Sequence, residues 1–176
     1  MVPVEAPAEI PLLNFSFAQL GKNAWALFSH VFLQLPDIFF NSIPAFGPLY
    51  HVSIPFVFVG IIVFTIQLFR EKNIEKQTQM LALWGFLVTG IWVGLITYEV
   101  NINRVNIIFY PIILLCAYGI GLTVRKWKKL WPVVAAAYGI SSILFFGIYF
   151  TTYAEESRQY YNKDFMEAVA EADSLE

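Results

Sequence analysis

Four long apolar segments without a charged residue dominate this chain of 176 residues. A helix needs about 20 predominantly apolar residues to cross the hydrocarbon core of a bilayer. Three of the segments have about that length, and the first reaches it if the five residues before it continue the same helix. None alternates apolar and polar residues as membrane β-strands do. The sequence therefore predicts four transmembrane helices within residues 54–150, at Ile54–Phe69, Leu81–Tyr98, Val105–Val124 and Leu130–Phe150.

The composition favours a membrane protein and excludes other classes. Charged residues make up 14% of the chain, whereas a soluble domain has about 25%. The net charge of −2 excludes a basic module, so we expect no nucleic-acid partner. No His, Cys or carboxylate cluster has the spacing of metal ligands, and we expect neither a metal nor a cofactor. The single cysteine, Cys116, has apolar neighbours and is interpreted as a packing residue.

Basic residues are distributed unevenly between the connections. The loops after the first and third spans carry seven of the eleven lysines and arginines, namely Arg70, Lys72, Lys76, Arg125, Lys126, Lys128 and Lys129. Because cytoplasmic loops concentrate basic residues, the sequence predicts that both termini and the loop Glu99–Arg104 are extracytoplasmic. Met1–Pro11 lacks the basic start of a signal peptide. We therefore expect residues 1–14 to form an extended outward segment that further helices precede in a larger protein.

Residues 15–35 form a different kind of apolar stretch. On a helical wheel, most apolar residues, including Phe17, Leu27 and Val31, fall within a wedge of about 140°. The opposite side carries Gln19, Lys22, Asn23, Ser29, His30 and Gln34. This pattern predicts an amphipathic helix in the membrane interface. The same helix can also pack on the protein itself, since the two interpretations are compatible. We interpret His30 as a solvated residue of the polar side.

Residues 36–53 are predicted to form an irregular loop on the same side, because three prolines interrupt regular helix. Its polar residues, interspersed with aromatic ones, are Asp37, Asn41, Ser42, Tyr50 and His51. Irregular backbone at membrane depth must be covered by protein or line a wet cavity. The loop is thus either the lining of a site or an ordinary re-entrant connector.

The remaining tail, residues 151–176, is predicted to lie outward and to end in a short helix, since Asp164 and Glu167 resemble a capping box. The predicted fold is therefore all-α: a polytopic membrane protein with four transmembrane helices, an interfacial amphipathic helix and a short C-terminal helix.

Arg104 opens the third span, where its charge gains nothing from the helix dipole. Binding of a phosphate or carboxylate through the guanidinium explains such a position. Pairing with Glu99, or extension towards lipid headgroups, explains it equally well.

Two stretches, taken in order, resemble a known family. The first reads Asp37-Ile-Phe-Phe-Asn41-Ser42-Ile-Pro44-Ala-Phe46-Gly47-Pro-Leu-Tyr50, and the second reads Asn103-Arg104-Val-Asn106-Ile-Ile-Phe-Tyr-Pro111. Over residues 35–174 the chain resembles the C-terminal half of bacterial GT-C membrane glycosyltransferases. This class includes dolichyl-phosphate-mannose protein mannosyltransferases and lipid A aminoarabinose transferases.

The resemblance implies transfer of a sugar from a polyprenyl-phosphate carrier outside the cytoplasm, by a multi-pass protein of the bacterial plasma membrane. It implies that Arg104 lies near the carrier phosphate, and that the loop with Asp37, Asn41, Tyr50 and His51 closes over the donor and acceptor. The family's catalytic acidic residue lies in the N-terminal half, so no catalytic residue is expected here. The implied partners are membrane lipids, the polyprenyl-phosphate-linked sugar and the upstream half of the same enzyme.

Two other functions stay open from the sequence. One is a non-enzymatic four-helix membrane subunit that acts as a scaffold or in assembly. The other is a small lipid-binding or flippase-like component.

Overall fold

The computed structural model describes residues 16–37 and 41–173, and the predicted extended segment 1–14 lies outside them. The helices are α1 (Phe17–Val31), α2 (Ile54–Arg70), α3 (Ile74–Ile96), α4 (Phe109–Lys126), α5 (Trp131–Ile148) and α6 (Ala154–Asp173). Short 3₁₀ turns precede α2, α4 and α5, and a π-helical turn at Tyr149–Tyr153 joins α5 to α6. The described ranges contain no strand, and the all-α prediction is confirmed.

Four helical stretches are long and apolar enough to cross a membrane, namely His51–Arg70, Ile74–Ile96, Asn106–Lys126 and Lys128–Arg158. The first includes a 3₁₀ turn, which adds the length that its apolar run alone lacks. The second begins before the predicted Leu81, because Asn73 caps it: the side-chain oxygen of Asn73 accepts a hydrogen bond from the backbone N–H of Lys76 at 3.1 Å.

Helices α2 and α4 pack backbone against backbone. A Cβ atom on Gly60 would lie within 3.0 Å of the carbonyl oxygen of Leu115, and one on Gly119 would lie within 3.0 Å of the carbonyl oxygen of Phe56. Small residues allow membrane helices to approach each other in this way. Val57, which is 0% exposed, and Leu115 fill the interior beside the two glycines. This crossing forms the centre of the bundle.

Helix α1 lies across one end of the bundle. At the middle of α1, the amide of Asn23 donates hydrogen bonds to the carbonyls of Leu95 and Thr97, where α3 ends, at 2.8 and 2.7 Å. After its last turn, the side-chain oxygen of Gln34 accepts a bond from the backbone N–H of Leu49, just before α2, at 2.6 Å. We call this end, with loops 32–53 and 97–108, the α1 end. The opposite end, with the loops after α2 and α4, is the basic end.

Helix α1 buries residues from both sides of its helical wheel. Leu27 and Val31 of the apolar wedge are 6% and 3% exposed. On the polar side Asn23, Ser29 and His30 are buried as well, at 1%, 5% and 7% exposure, whereas Lys22 is exposed. The interpretation of His30 as solvated was wrong, because its ring nitrogen Nδ1 forms a hydrogen bond of 2.8 Å with the carbonyl of Leu35. The helix also ends at Val31 and not at Leu35, and Gln34 follows with a left-handed φ of 56°.

The C-terminal helix begins earlier than predicted. Helix α6 starts at Ala154 and continues α5 through the π-helical turn, so Asp164 lies inside a helix and does not cap one. Residues 151–164 contain no glycine or proline to end the helix. Arg158 and Glu155 lie one turn apart and form an ion pair of 3.0 Å, which stabilises the helix.

Candidate functional site

Polar residues join the two loops at the α1 end. The carboxylate of Asp37 accepts a hydrogen bond of 2.6 Å from the backbone N–H of Ile102, and both of its oxygens accept bonds of 3.1 Å from the amide of Asn41. The side-chain oxygen of Asn41 in turn accepts a hydrogen bond from the amide of Asn103. The structure therefore brings together the two stretches that the sequence had singled out. We call this set the loop junction.

Arg104 is exposed and follows the loop junction directly in the chain. Its backbone N–H donates to the side-chain oxygen of Asn101 at 2.9 Å, and its guanidinium donates to the backbone carbonyl of Glu99 at 3.0 Å. No carboxylate of a described residue, that of Glu99 included, lies within 4.0 Å of the guanidinium. A guanidinium has five N–H donors, so Arg104 retains the capacity to bind an anion.

The other two candidate residues take different positions. The ring of Tyr50 packs edge-on against Phe46 and Phe145, with centroids 6.0 and 6.1 Å apart, and its hydroxyl donates to the hydroxyl of Ser142 at 3.5 Å. Tyr50 therefore connects the loop to α5. His51 begins the 3₁₀ turn before α2 and is exposed.

Two adjoining cavities extend from the α1 end along α4. The shallower one, which is nearer the α1 end, has about 300 Å³. Asn41 lines it from loop 32–53, Ile102 and Asn106 line it from loop 97–108, and Tyr110 lines it from α4. The deeper one has about 420 Å³ and reaches Ile120. Both cavities share Pro48, Leu49 and Ile113 as lining residues. We call the two together the α4–α5 crevice.

A small polar cluster inside the crevice was missed by the sequence analysis. The hydroxyls of Ser53 and Tyr138 are 2.8 Å apart, and the sulfur of Cys116 lies 3.5 Å from the Tyr138 hydroxyl. All three residues line the deeper cavity. Each belongs to a different span, so no local pattern connects them. The sequence signal was that Cys116 and Tyr138 occur within apolar segments and that Ser53 directly precedes one.

Helix α5 closes the crevice loosely. Of the residues of α5, Val134 alone is buried. Its contacts with the rest of the chain include those of Tyr138, Ser142 and Phe145 described above. Helix α5 therefore covers the crevice through a few aromatic and hydroxyl side chains.

No group of three His, Cys, Asp or Glu side chains that could hold a metal ion exists within residues 16–37 and 41–173. Comparisons with protein-family models, with curated proteins and with solved structures gave no match.

We expect Asp37→Ala to separate the two loops at the α1 end. The backbone N–H of Ile102 and the amide of Asn41 lose their acceptor, and each unsatisfied group costs about 1–3 kcal/mol. Hydrogen–deuterium exchange of the peptide that contains Ile102 should become faster, while the exposed side chain of Glu99 offers a control in Glu99→Ala. Unchanged exchange in Asp37→Ala would contradict this role of the carboxylate.

Proposed function

We propose that the chain is the C-terminal transmembrane portion of a GT-C-type glycosyltransferase, which transfers a sugar from a polyprenyl-phosphate carrier on the extracytoplasmic face. One observation carries the proposal: the exposed guanidinium of Arg104 belongs to the loop that lines the mouth of the α4–α5 crevice. Arginine binds phosphate oxygens in a bidentate geometry. The mainly apolar lining of the crevice suits a hydrocarbon chain. A polyprenyl phosphate combines these two features.

The proposed orientation places the α1 end, both termini and the loop junction outside the cytoplasm, in a bacterial plasma membrane. Its support is the group of seven lysines and arginines in the two loops at the basic end, since such residues concentrate in cytoplasmic loops. In this proposal an upstream half of the same enzyme supplies the catalytic carboxylate, together with the rest of the acceptor site.

Arg104→Ala is expected to weaken binding of a polyprenyl phosphate at least about tenfold, because hydrogen bonds to charged groups contribute about 1.5–3 kcal/mol and each 1.4 kcal/mol is a factor of ten. Binding is measured on the full chain in lipid nanodiscs. In an enzyme that includes the upstream half, the rate of sugar transfer should fall by a similar factor.

The matched control is Arg158→Ala, which removes an exposed arginine of α6. Arg158 lines neither cavity of the crevice, so this variant should leave binding unchanged. Arg104→Lys should give an intermediate loss, since it keeps the charge without the bidentate geometry. Equal affinities for the wild type and Arg104→Ala would remove Arg104 from the site.

A scaffold or assembly subunit is the second candidate function. The observation that favours it is the exposed surface of α5, which includes Ile140, Ile143 and Phe146 at 58%, 73% and 56% exposure. A helix with so little burial within its own chain has a large apolar surface for a neighbouring membrane protein. This function requires no binding of a polyprenyl phosphate, so the Arg104 experiment also separates the two candidates.

A further inference from the structure

A separate cavity of about 420 Å³ lies between α2 and α4 near the basic end of the bundle. Its wall towards the middle of the span is apolar and consists of Val59 and Val63 of α2 and Leu122 of α4. Its rim is formed by Arg125, Lys126 and Trp127, where α4 ends. Neither the loop junction nor the α4–α5 crevice includes any of these residues.

The order of these groups matches that of a phospholipid. The valines and Leu122 lie on the membrane side, and the two cations follow at the next turn of α4, at the boundary. Trp127 marks that boundary, since tryptophan prefers the membrane interface, and its ring lies 4.6 Å from the ammonium nitrogen of Lys126. The hydroxyl of Thr123, a further lining residue, donates to the carbonyl of Gly119 at 2.8 Å and so is already engaged.

Among the residues that the structure describes, no acid forms an ion pair with the cations at the rim. No described carboxylate lies within 4.0 Å of Arg125 or Lys126. Glu71, in the other loop at this end, accepts hydrogen bonds of 3.0 and 2.9 Å from the backbone N–H groups of Lys72 and Asn73. Basic residues at a helix C-terminus also interact favourably with the helix dipole. That interaction accounts for the charges, but it does not account for an apolar cavity beside them.

We propose that this cavity binds an anionic phospholipid, whose phosphate lies on Arg125 and Lys126 and whose acyl chain lies against Val59, Val63 and Leu122. Basic pockets between transmembrane helices suit anionic headgroups. A free phosphate ion would leave the apolar wall uncovered, and a zwitterionic lipid would bring its own cation to the basic rim. The inference is independent of the proposed glycosyltransferase function.

The first test removes charge. Native mass spectrometry of the full chain in detergent gives the affinity for phosphatidylglycerol and for phosphatidylcholine. The double variant Arg125→Gln/Lys126→Gln should lose about 25-fold in affinity for phosphatidylglycerol, because each basic residue near an anionic surface contributes about fivefold. The control Lys128→Gln/Lys129→Gln removes the same charge outside the cavity lining and should lose at most about threefold, since it acts only through screened solvent.

An equal loss in both double variants overturns the proposal, because it shows attraction to net charge and not to a site. No loss in either variant also overturns it. The proposal is also overturned if the wild type binds phosphatidylglycerol and phosphatidylcholine with equal affinity. Inorganic phosphate at millimolar concentration should not displace the lipid, and displacement would reassign the site to a free anion.

The second test fills the cavity and keeps every charge. Val63→Trp should lower affinity for phosphatidylglycerol by about tenfold. The indole ring and the acyl chain would compete for the same space, which costs about as much as overpacking a core. The matched control is Val88→Trp, because Val88 is 59% exposed on α3 and does not line the cavity. Helical content is recorded for each variant. If Val63→Trp is folded and binds the lipid as the wild type does, the proposed position of the acyl chain is wrong.

Discussion

Alanine at Gly60 or at Gly119 is expected to destabilise the bundle by about 3 kcal/mol or more, the upper range for overpacking a core. At each position the added Cβ atom would meet a backbone carbonyl of the partner helix, that of Leu115 or that of Phe56. A backbone atom cannot rotate away as a side chain does, so α2 and α4 would have to move apart. Such a movement also opens the packing around Val57, which has no exposed surface.

The measurement is the free energy of unfolding of the full chain in detergent micelles, followed by circular dichroism. Gly121→Ala and Gly139→Ala are the matched controls, because a Cβ atom at either position meets nothing within 4 Å. Both controls should be neutral or slightly stabilising, since alanine favours helix over glycine by about 1 kcal/mol. If Gly119→Ala were as stable as Gly121→Ala, the close crossing of α2 and α4 would be refuted.

Replacing Asn23 with alanine should cost about 2–3 kcal/mol, although this residue lies on the side of α1 that its sequence marks as polar. Asn23 is 1% exposed and donates to the carbonyls of Leu95 and Thr97. The last carbonyls of a helix have no partner within the helix itself. Each buried polar group that loses its bond costs about 1–3 kcal/mol.

Two further variants separate hydrogen bonding from packing at this position. Asn23→Leu keeps the volume and removes the donors, so it should be about as damaging as Asn23→Ala. Gln19→Ala removes bonds of 2.8 Å to the carbonyl of Tyr98 and of 2.9 Å to the side-chain oxygen of Asn23. It leaves the two bonds from Asn23 to α3 in place, so it should cost about 1 kcal/mol, less than Asn23→Ala. The readout is again the free energy of unfolding in micelles. A stable Asn23→Leu variant would mean that the carbonyls at the end of α3 need no protein donor.

The candidate site could be predicted only in part. The sequence placed Asp37, Asn41 and Arg104 in two loops on the same side of the predicted membrane domain. It did not identify the hydrogen bonds that join the loops, because Asp37 and Ile102 are 65 positions apart. It also left open how Arg104 meets Glu99, and in the structure that contact goes through the backbone carbonyl.

The buried polar residues of the α1 segment show a second limit of prediction from sequence. A helical wheel separates polar from apolar residues, and it assigns the polar side to water by default. Here Asn23 and Gln34 are buried because the ends of α1 and α3 supply backbone groups that need partners. The helical wheel did not predict their burial, since it contains no information about which helix ends lie nearby.

Sequence alone determined the number, the type and the approximate limits of the spans. In hydrocarbon each backbone polar group must be bonded within its own segment, so length and apolarity suffice to specify a helix. The tertiary structure decided which helices touch, which polar residues of α1 are buried and which loops meet. Those outcomes depend on contacts between residues far apart in the chain, such as Gly60 with Leu115 and Ser53 with Tyr138, and local periodicity does not encode them.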